Sequence, residues 1–453
     1  MSKKLKPNVV ANSRLDYYES PTVQVVNKHP SGFREHTPIN TLEVNPIHFT
    51  IIGNSRETIN FSQHFLYVKY NIVNAANGAN LPDGFNGHFG TINNCLHSLF
   101  KHVTVQINGI TVTPSSDYYP LHAYFTSLFS ASKENVNTLK LGGWFRDVGT
   151  VNEMGGGNTG FTARANLFGE STTREFLAPL DVDIFKTLKN FPPNLRIDIK
   201  LYRAENTFTI QHDGFQIPAR EQNPAIPMPN LKINLQQVRL YVRHEEHLDS
   251  VLNAIHSTSL LGYNYKLPYK FMTIKTDIVQ AAQTSFTRDD ICLGLSPIGA
   301  AITFIPADAF VGTFGTTPFH FTAGENIKSA YLSVNGRKLA FENPLTLDVA
   351  HNQYYQAYHS LLMFCGQHMW YQSGLIFPPE EFITGNFIMG CSNVRDLDNE
   401  NNSIEPPENG TTKLQINWDQ GGPGVITQVI MVLLFDVTTE ISPTGQVIMP
   451  INL

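Results

Sequence analysis

Few side-chain groupings in this chain suit a reaction or a ligand, and each fails on its spacing. Asp181-Val-Asp183 and Glu380-Glu381 supply paired carboxylates. Glycoside hydrolysis needs two carboxyls facing each other across a cleft, and these close pairs read as solvated strand edges. His244-Glu-Glu-His247 lacks the His-Glu-x-x-His order; at a helix start its two imidazoles could share a metal, but no third ligand accompanies them. Gly155-Gly156-Gly157-Asn158-Thr159-Gly160 is followed by no Gly-Lys-Ser/Thr, so it reads as a flexible loop rather than a phosphate cradle. Asp396-x-Asp398-x-Glu400 has Asn401 where a calcium loop needs glycine and Pro407 where its twelfth ligand should stand. No Gly-x-Ser-x-Gly elbow occurs. Tyr118-Tyr119, Tyr124-Phe125, Tyr354-Tyr355 and Tyr358 could stack on sugars or bases, but they read as short helices packing on a sheet. The chain is therefore expected to be a structural protein, not an enzyme, with no catalytic residue, metal or cofactor.

Composition narrows the classes further. The 453 residues are 42% hydrophobic but only 15% charged, against about 25% charged in an ordinary soluble domain. Neutral polar residues fill the gap: 40 Asn, with 32 Gly and 27 Pro. An aromatic content of 11% excludes disorder, and the Pro, Gly and Asn punctuation excludes a long coiled coil. The net charge of −6 argues against a surface that coats nucleic acid. Met1–Pro7 (MSKKLKP) is the one local basic patch, carried by Lys3, Lys4 and Lys6. Cys95, Cys292, Cys365 and Cys391 lie far apart, without a Cys-x-x-Cys pair, and read as reduced buried residues. The longest apolar run, Val429–Phe435, is strand-length, so no membrane-spanning segment is expected. The polar N-terminus has no apolar signal region, so the sequons at Asn60, Asn401 and Asn409 are expected to stay unglycosylated.

The elements available to position side chains are mostly strands. In 194–203, Leu195, Ile197, Ile199 and Leu201 alternate with Arg196, Asp198, Lys200 and Tyr202. In 230–243 the alternation slips by one residue at Gln236–Gln237, which predicts a β-bulge. Period two with one apolar face predicts half-buried antiparallel strands in sandwiches or barrels. Helical period is confined to 120–131, 245–256 and 353–365.

An internal repeat organises the whole. VTVQING at 103–109 leads to Tyr118-Tyr119 and a short helix; AYLSVNG at 330–336 leads to Tyr354-Tyr355 and another. Asn-Gly after an alternating run predicts a two-residue hairpin in each copy. Both copies end on a long apolar strand. The reading is an N-terminal arm (1–44), a first β-domain (45–245), a helical linker (246–257), a second β-domain (258–440) and a tail (441–453). Strand candidates in the first copy lie near 47–53, 63–74, 101–108, 110–114, 175–185, 194–203, 207–211 and 230–243, which is the eight-strand count of a jelly roll. The fold class is thus all-β, two tandem eight-stranded jelly rolls with a few short helices. The Gly/Asn/Pro-rich stretches 142–173 and 395–424 are expected to be exposed loops at lobe tips, and the arm and tail to bridge neighbouring chains.

Residues 93–130, NNCLHSLFKHVTVQINGITVTPSSDYYPLHAYFTSLFS, resemble the major capsid proteins of Polinton/Maverick elements and adintoviruses. The resemblance rests on Asn93, Asn94, Leu96, His97, Ser98, Leu99, Phe100, Ile107, Asn108, Gly109, Tyr119, Pro120 and Tyr124. Leu121-His122 departs from it, where a more basic pair is expected. The resemblance implies a double jelly-roll capsid protein of the adenovirus-hexon lineage. It implies homotrimers that look nearly hexagonal, tile an icosahedral virion shell around double-stranded DNA, and meet a penton or minor capsid protein. Assembly would take place inside the host cell, without secretion, and Lys3, Lys4 and Lys6 would reach genome DNA at a local inner surface. The alternatives that share the architecture are a tandem jelly-roll hydrolase of glycans or glycopeptides and a lectin-like carbohydrate-binding protein.

Overall fold

Alternating side chains bury one face of each strand, and backbone pairing then decides the order. The computed structural model describes residues 27–449 except 30–31, 115, 133, 149–153, 155–156, 219–223, 323–326, 339–344, 349–350, 367–374, 395–408 and 420. The first lobe is built from β1 (Gly32–His36), β2 (Ile47–Ile52), β3 (Glu57–Asn74), β4 (Phe100–Ile107), β5 (Ile110–Thr111), β6 (Arg174–Ala178), β7 (Arg196–Arg203) and β8 (Leu231–Glu246). The second uses β9 (Tyr265–Val279), β10 (Ser285–Leu295), β11 (Gly299–Pro306), β12 (Ile327–Val334), β13 (Arg337–Lys338), β14 (Ile388–Ser392), β15 (Asn409–Trp418) and β16 (Thr427–Ile441).

The first lobe's sheets run β1-β8-β3-β6 and β2-β7-β4-β5; the second lobe's run β9-β16-β11-β14 and β10-β15-β12-β13. Adding eight to every number of the first pair gives the second. Each lobe is therefore the same antiparallel jelly roll, and the chain is a double jelly roll. The bulge falls where the alternation slips: the register of β8 on β3 shifts between Leu235 and Gln237. That extra residue lets Leu231 and Ile233 on one side, and Val238, Leu240 and Val242 on the other, all enter the core. Both Asn-Gly turns carry positive φ at each central residue, 49° and 85° at Asn108-Gly109 and 51° and 78° at Asn335-Gly336. Asparagine and glycine tolerate that geometry, and it matches the twist of a hairpin. Each turn asparagine also braces its own sheet: Oδ1 of Asn108 accepts from Arg196 N (2.9 Å) and Oδ1 of Asn335 from Thr411 N (3.0 Å).

Four longer helices complete the body: α1 (Tyr119–Ser130), α2 (Thr159–Leu167), α3 (Asp249–Leu260) and α4 (Tyr355–Phe364). α1 joins β5 to β6 and α4 joins β13 to β14, so the repeat places its two aromatic helices at one topological position.

Several expected boundaries are corrected. Residues 32–36, read as arm, form β1 on β8; four of its five residues are exposed, so no buried stripe announces it. The strand expected at 175–185 stops at Ala178 and gives way to a 3-10 turn at Asp183–Lys186. The strand expected at 207–211 begins as a helical turn, Asn206–Thr209. The linker helix starts at Asp249, because Glu245 and Glu246 still pair with β3. Stretch 142–173 is no exposed loop where it is described: Trp144, Phe161, Arg164 and Phe168 are buried in it, and Asn158 caps α2. Gly143 serves close packing, since a Cβ on it would lie 2.4 Å from Cys95 Cβ. The tail turns back on its own chain, with Val447 and Ile448 paired to β16 and Gly445 O accepting from Asn108 Nδ2 (2.8 Å).

Gly336→Ala is expected to cost about 1–2 kcal/mol, the penalty of a side chain in the left-handed region. Gly32→Ala, where the space is open, should stay within about 0.5 kcal/mol. Urea unfolding of the two variants checks the difference.

Candidate functional site

The motif residues 93–120 build the floor under α1. Asn93 Oδ1 accepts from Phe145 N (2.8 Å), and its Nδ2 donates to Phe145 O (2.5 Å) and Asp147 Oδ2 (2.9 Å). Asp147 in turn binds Arg164 Nη1 at 2.9 Å, with Arg164 only 1% exposed and its Nε on Thr91 O. Asn94 takes φ 57° to turn the chain, and Ser98 Oγ closes the turn on Asn93 O. Leu96, Leu99 and Phe100 then drop into the core. Tyr119 Oη accepts from Asp181 N (3.3 Å) and lies 2.8 Å from His97 Nδ1. Burial disfavours a charged His97 ring and pushes its pKa down to about 4, so this contact joins a neutral imidazole to the phenol. Pro120 sits in the first helical turn of α1, where its missing N–H costs nothing.

α1's other faces meet the second lobe. Tyr124 stacks on Phe319 (centroids 4.1 Å apart, planes at 6°) and Phe125 on Phe321 (5.1 Å). Phe129 packs edge-on against Phe364 of α4, and Tyr118 Oη lies 3.1 Å from Thr276 Oγ1 of β9. Arg146 of the first lobe also pairs with Glu381 of the second.

Beside this aromatic seam lies a buried ion cluster. His122 Nδ1 is 2.7 Å from Asp181 Oδ2 and His122 Nε2 is 3.1 Å from Asp183 Oδ2. Lys186 Nζ spans the same carboxylates at 2.6 and 3.0 Å. Asp183 Oδ2 additionally accepts from Met272 N of β9 (2.8 Å), which ties the cluster to the second lobe. Burial opposes charge on His122, but Asp183 and Asp181 outweigh it and raise its pKa to about 9. Burial works against the ionised carboxyls as well, yet Lys186 and His122 hold Asp181 and Asp183 below the ordinary carboxylate range. His122, Asp181 and Asp183 are close enough to suggest a metal centre. Both imidazole nitrogens, however, face the Oδ2 oxygens of the two carboxylates, and Lys186 Nζ bridges their Oδ1 oxygens. That arrangement calls for protons rather than free lone pairs, so the cluster is a charge-balanced brace.

The other sequence candidates disperse. His244 and His247 lie at the end of β8 rather than on a helix: His244 Nε2 faces His36 Nε2 (3.3 Å), while His247 Nε2 meets Thr58 Oγ1 (2.6 Å). Glu381 is spent on Arg146, so Glu380-Glu381 forms no carboxyl pair across a cleft. Tyr354 is buried and stacks on Tyr355, and Tyr358 packs on Phe382. The four cysteines are free, three of them buried. Lys3, Lys4, Lys6, Asp396, Asp398 and Glu400 lie outside the described residues. Sequence reasoning missed the role of His122 and the Arg146–Glu381 bridge; the break at His122 in an otherwise matching motif was the available signal for the first.

The fold class is that of double jelly-roll major capsid proteins. The Sputnik virophage structure is similar at a TM-score of 0.59 and 15% identity, over 99% of this chain and 94% of that one. Vp54 of PBCV-1, fitted into a reconstruction of Sputnik, matches at 0.57 and 11% identity over 96% and 100%. The mavirus major capsid protein matches at 0.53 and 10% identity over 99% and 95%. An uncharacterized protein of Caenorhabditis elegans is 23% identical over 326 residues, 70% of this chain and 72% of that protein. No protein-family model matches the chain.

A raised folded-state pKa means that His122 contributes stability fully below its ordinary 6.5 and loses it as pH rises through about 9. His122→Gln is therefore expected to cost about 3–5 kcal/mol near neutral pH, the scale for breaking a buried pair, and much less at alkaline pH. Urea titrations at pH 6.5 and pH 10 check this; equal losses at the two would contradict the assignment.

Proposed function

We propose that this protein is a major capsid protein of the Polinton/Maverick and adintovirus kind. The observation that carries the reading is the repeated strand order of two lobes, joined by one seam, in a fold that matches the Sputnik structure over 99% of the chain. Two look-alike lobes in each of three chains present six similar faces. A threefold ring then packs like a hexagon and tiles a closed shell. The motif at 93–130 adds the Polinton/Maverick assignment, and the nematode relative suits an element carried in animal genomes. The low charge content favours extensive subunit contacts, because desolvating unpaired charge at an interface core is costly. Exposed apolar residues such as Ile52, Leu188 and Val311 are candidate contact points. In this account Lys3, Lys4 and Lys6 reach double-stranded DNA at the inner surface, and a penton or minor capsid protein closes the vertices. Among the described residues, the carboxylates of Asp181, Asp183 and Glu381 are engaged in structural ion pairs, which supports a non-enzymatic role. Among the described residues no helix is long and apolar enough to cross a membrane.

Light scattering on the purified protein tests the assembly. The expected particle has three times the chain mass of 50.7 kDa, roughly 150 kDa, and forms closed shells under electron microscopy. A stable monomer that cleaves or binds glycans would overturn the reading in favour of a hydrolase or lectin.

A further inference from the structure

β1 stands at the edge of its sheet, paired to β8. Gly32 pairs with His244 and Arg34 with Val242, so by the two-residue period of a strand His36 lies on the same face as His244. The two imidazoles meet there by their edges: the Nε2 atoms are 3.3 Å apart, while the ring centroids are 5.5 Å apart. Two bonds of about 2.0–2.1 Å at a tetrahedral angle put ligating nitrogens about 3.3–3.4 Å apart, so the pair already has the bite of a metal chelate. On the far side of the ring, His244 Nδ1 lies 3.3 Å from Glu57 Oε2. The other oxygen of that carboxylate accepts from Arg34 Nη2 at 2.9 Å. A carboxylate placed there keeps the ring proton on Nδ1 and leaves the Nε2 lone pair to a ligand, the usual support of a metal-binding histidine.

We propose that His36 and His244 together bind a divalent transition metal of the zinc, nickel or copper kind, which pins β1 to β8. Imidazole nitrogens suit these ions, whereas calcium and magnesium call for oxygen. Burial favours the neutral form of both rings, which is the form that binds metal; it pushes His36 down to about 4 and His244 below its ordinary value. The contrast with His122 is direct, since both nitrogens of that ring face carboxylate oxygens. Arg34 is the positive group beside the pair, and Glu57 balances it. Without a metal, one Nε2 donates its proton to the other. On binding, the proton of His36 passes to Nδ1, and the partial exposure of His36 lets water accept from it and fill the remaining coordination positions. This inference does not depend on the capsid reading.

Calorimetric titration of the full-length chain, stripped with EDTA and desalted, with zinc chloride at pH 7.5 tests the site. One saturable site is expected. His36→Asn and Glu57→Gln are each expected to weaken it about tenfold or more, the loss of a ligand and of a supporting carboxylate. His351→Asn, at an exposed histidine paired with Asp348, should leave it unchanged. Zinc should also slow hydrogen exchange at 33–36 in the wild-type chain and not in His36→Asn. His36 is partly exposed on an edge strand, so this variant is expected to fold, and unchanged exchange in the β4–β7 ladder checks that it does. Equal zinc affinity in the wild type and His36→Asn would place the ion elsewhere and overturn the proposal. So would the absence of a saturable site, or binding that leaves exchange in β1 unchanged.

Discussion

The architecture depends on how one short helix of the first lobe is held by the second. α1 inserts Tyr124 and Phe125 against Phe319 and Phe321, and its first turn brings His122 to Asp181 and Asp183. The aromatic contacts remove large apolar faces from water, and the ion cluster sets the angle through Asp183 and Met272 N. Neither suffices alone. Stacked rings tolerate sliding, whereas a buried ion network is directional but gains little net stability against its desolvation. Together they join two sandwiches into one body, with a single apolar core running through both lobes.

The duplicated helices show how one element serves two settings. Both sit between the fifth and sixth strands of their lobes. α1 buries Tyr119, Pro120, Leu121, Ala123, Tyr124, Phe125 and Leu128, having a sheet on one side and the second lobe on another. α4 buries only Ala357, Ser360, Leu361 and Phe364, and it leaves Tyr355 58% exposed. The two helices thus share a topological position but not a degree of burial, because only α1 is packed between its own sheet and the other lobe.

Much of the fold was legible in the sequence because it is written locally. Period-two alternation located β4, β7 and β8, and the slip at Gln236–Gln237 located the bulge. Asn108-Gly109 and Asn335-Gly336 marked hairpins whose positive φ values only such residues adopt cheaply. Edge and irregular elements were harder. β1 has no buried stripe, since backbone pairing with β8 and exposed side-chain contacts such as Arg34–Glu57 and Glu35–Arg239 hold it. The Gly/Asn-rich stretch around 142–173 looked like loop because composition cannot separate a flexible glycine from one pressed against Cys95. The seam was the least legible part: Asp181, Asp183, His122 and Lys186 meet only after α1 folds back, and the signs of their charges do not reveal which lobe they serve.

The seam makes the two lobes one cooperative unit. Trp144, 1% exposed, reports the first lobe and Trp418, 5% exposed, the second. In two variants that each retain one of these tryptophans, with the others replaced by phenylalanine, urea unfolding is predicted to give coincident transitions. Replacing Phe125 with alanine should pull them apart. Two separate transitions in the intact protein, unmoved by that change, would contradict the account.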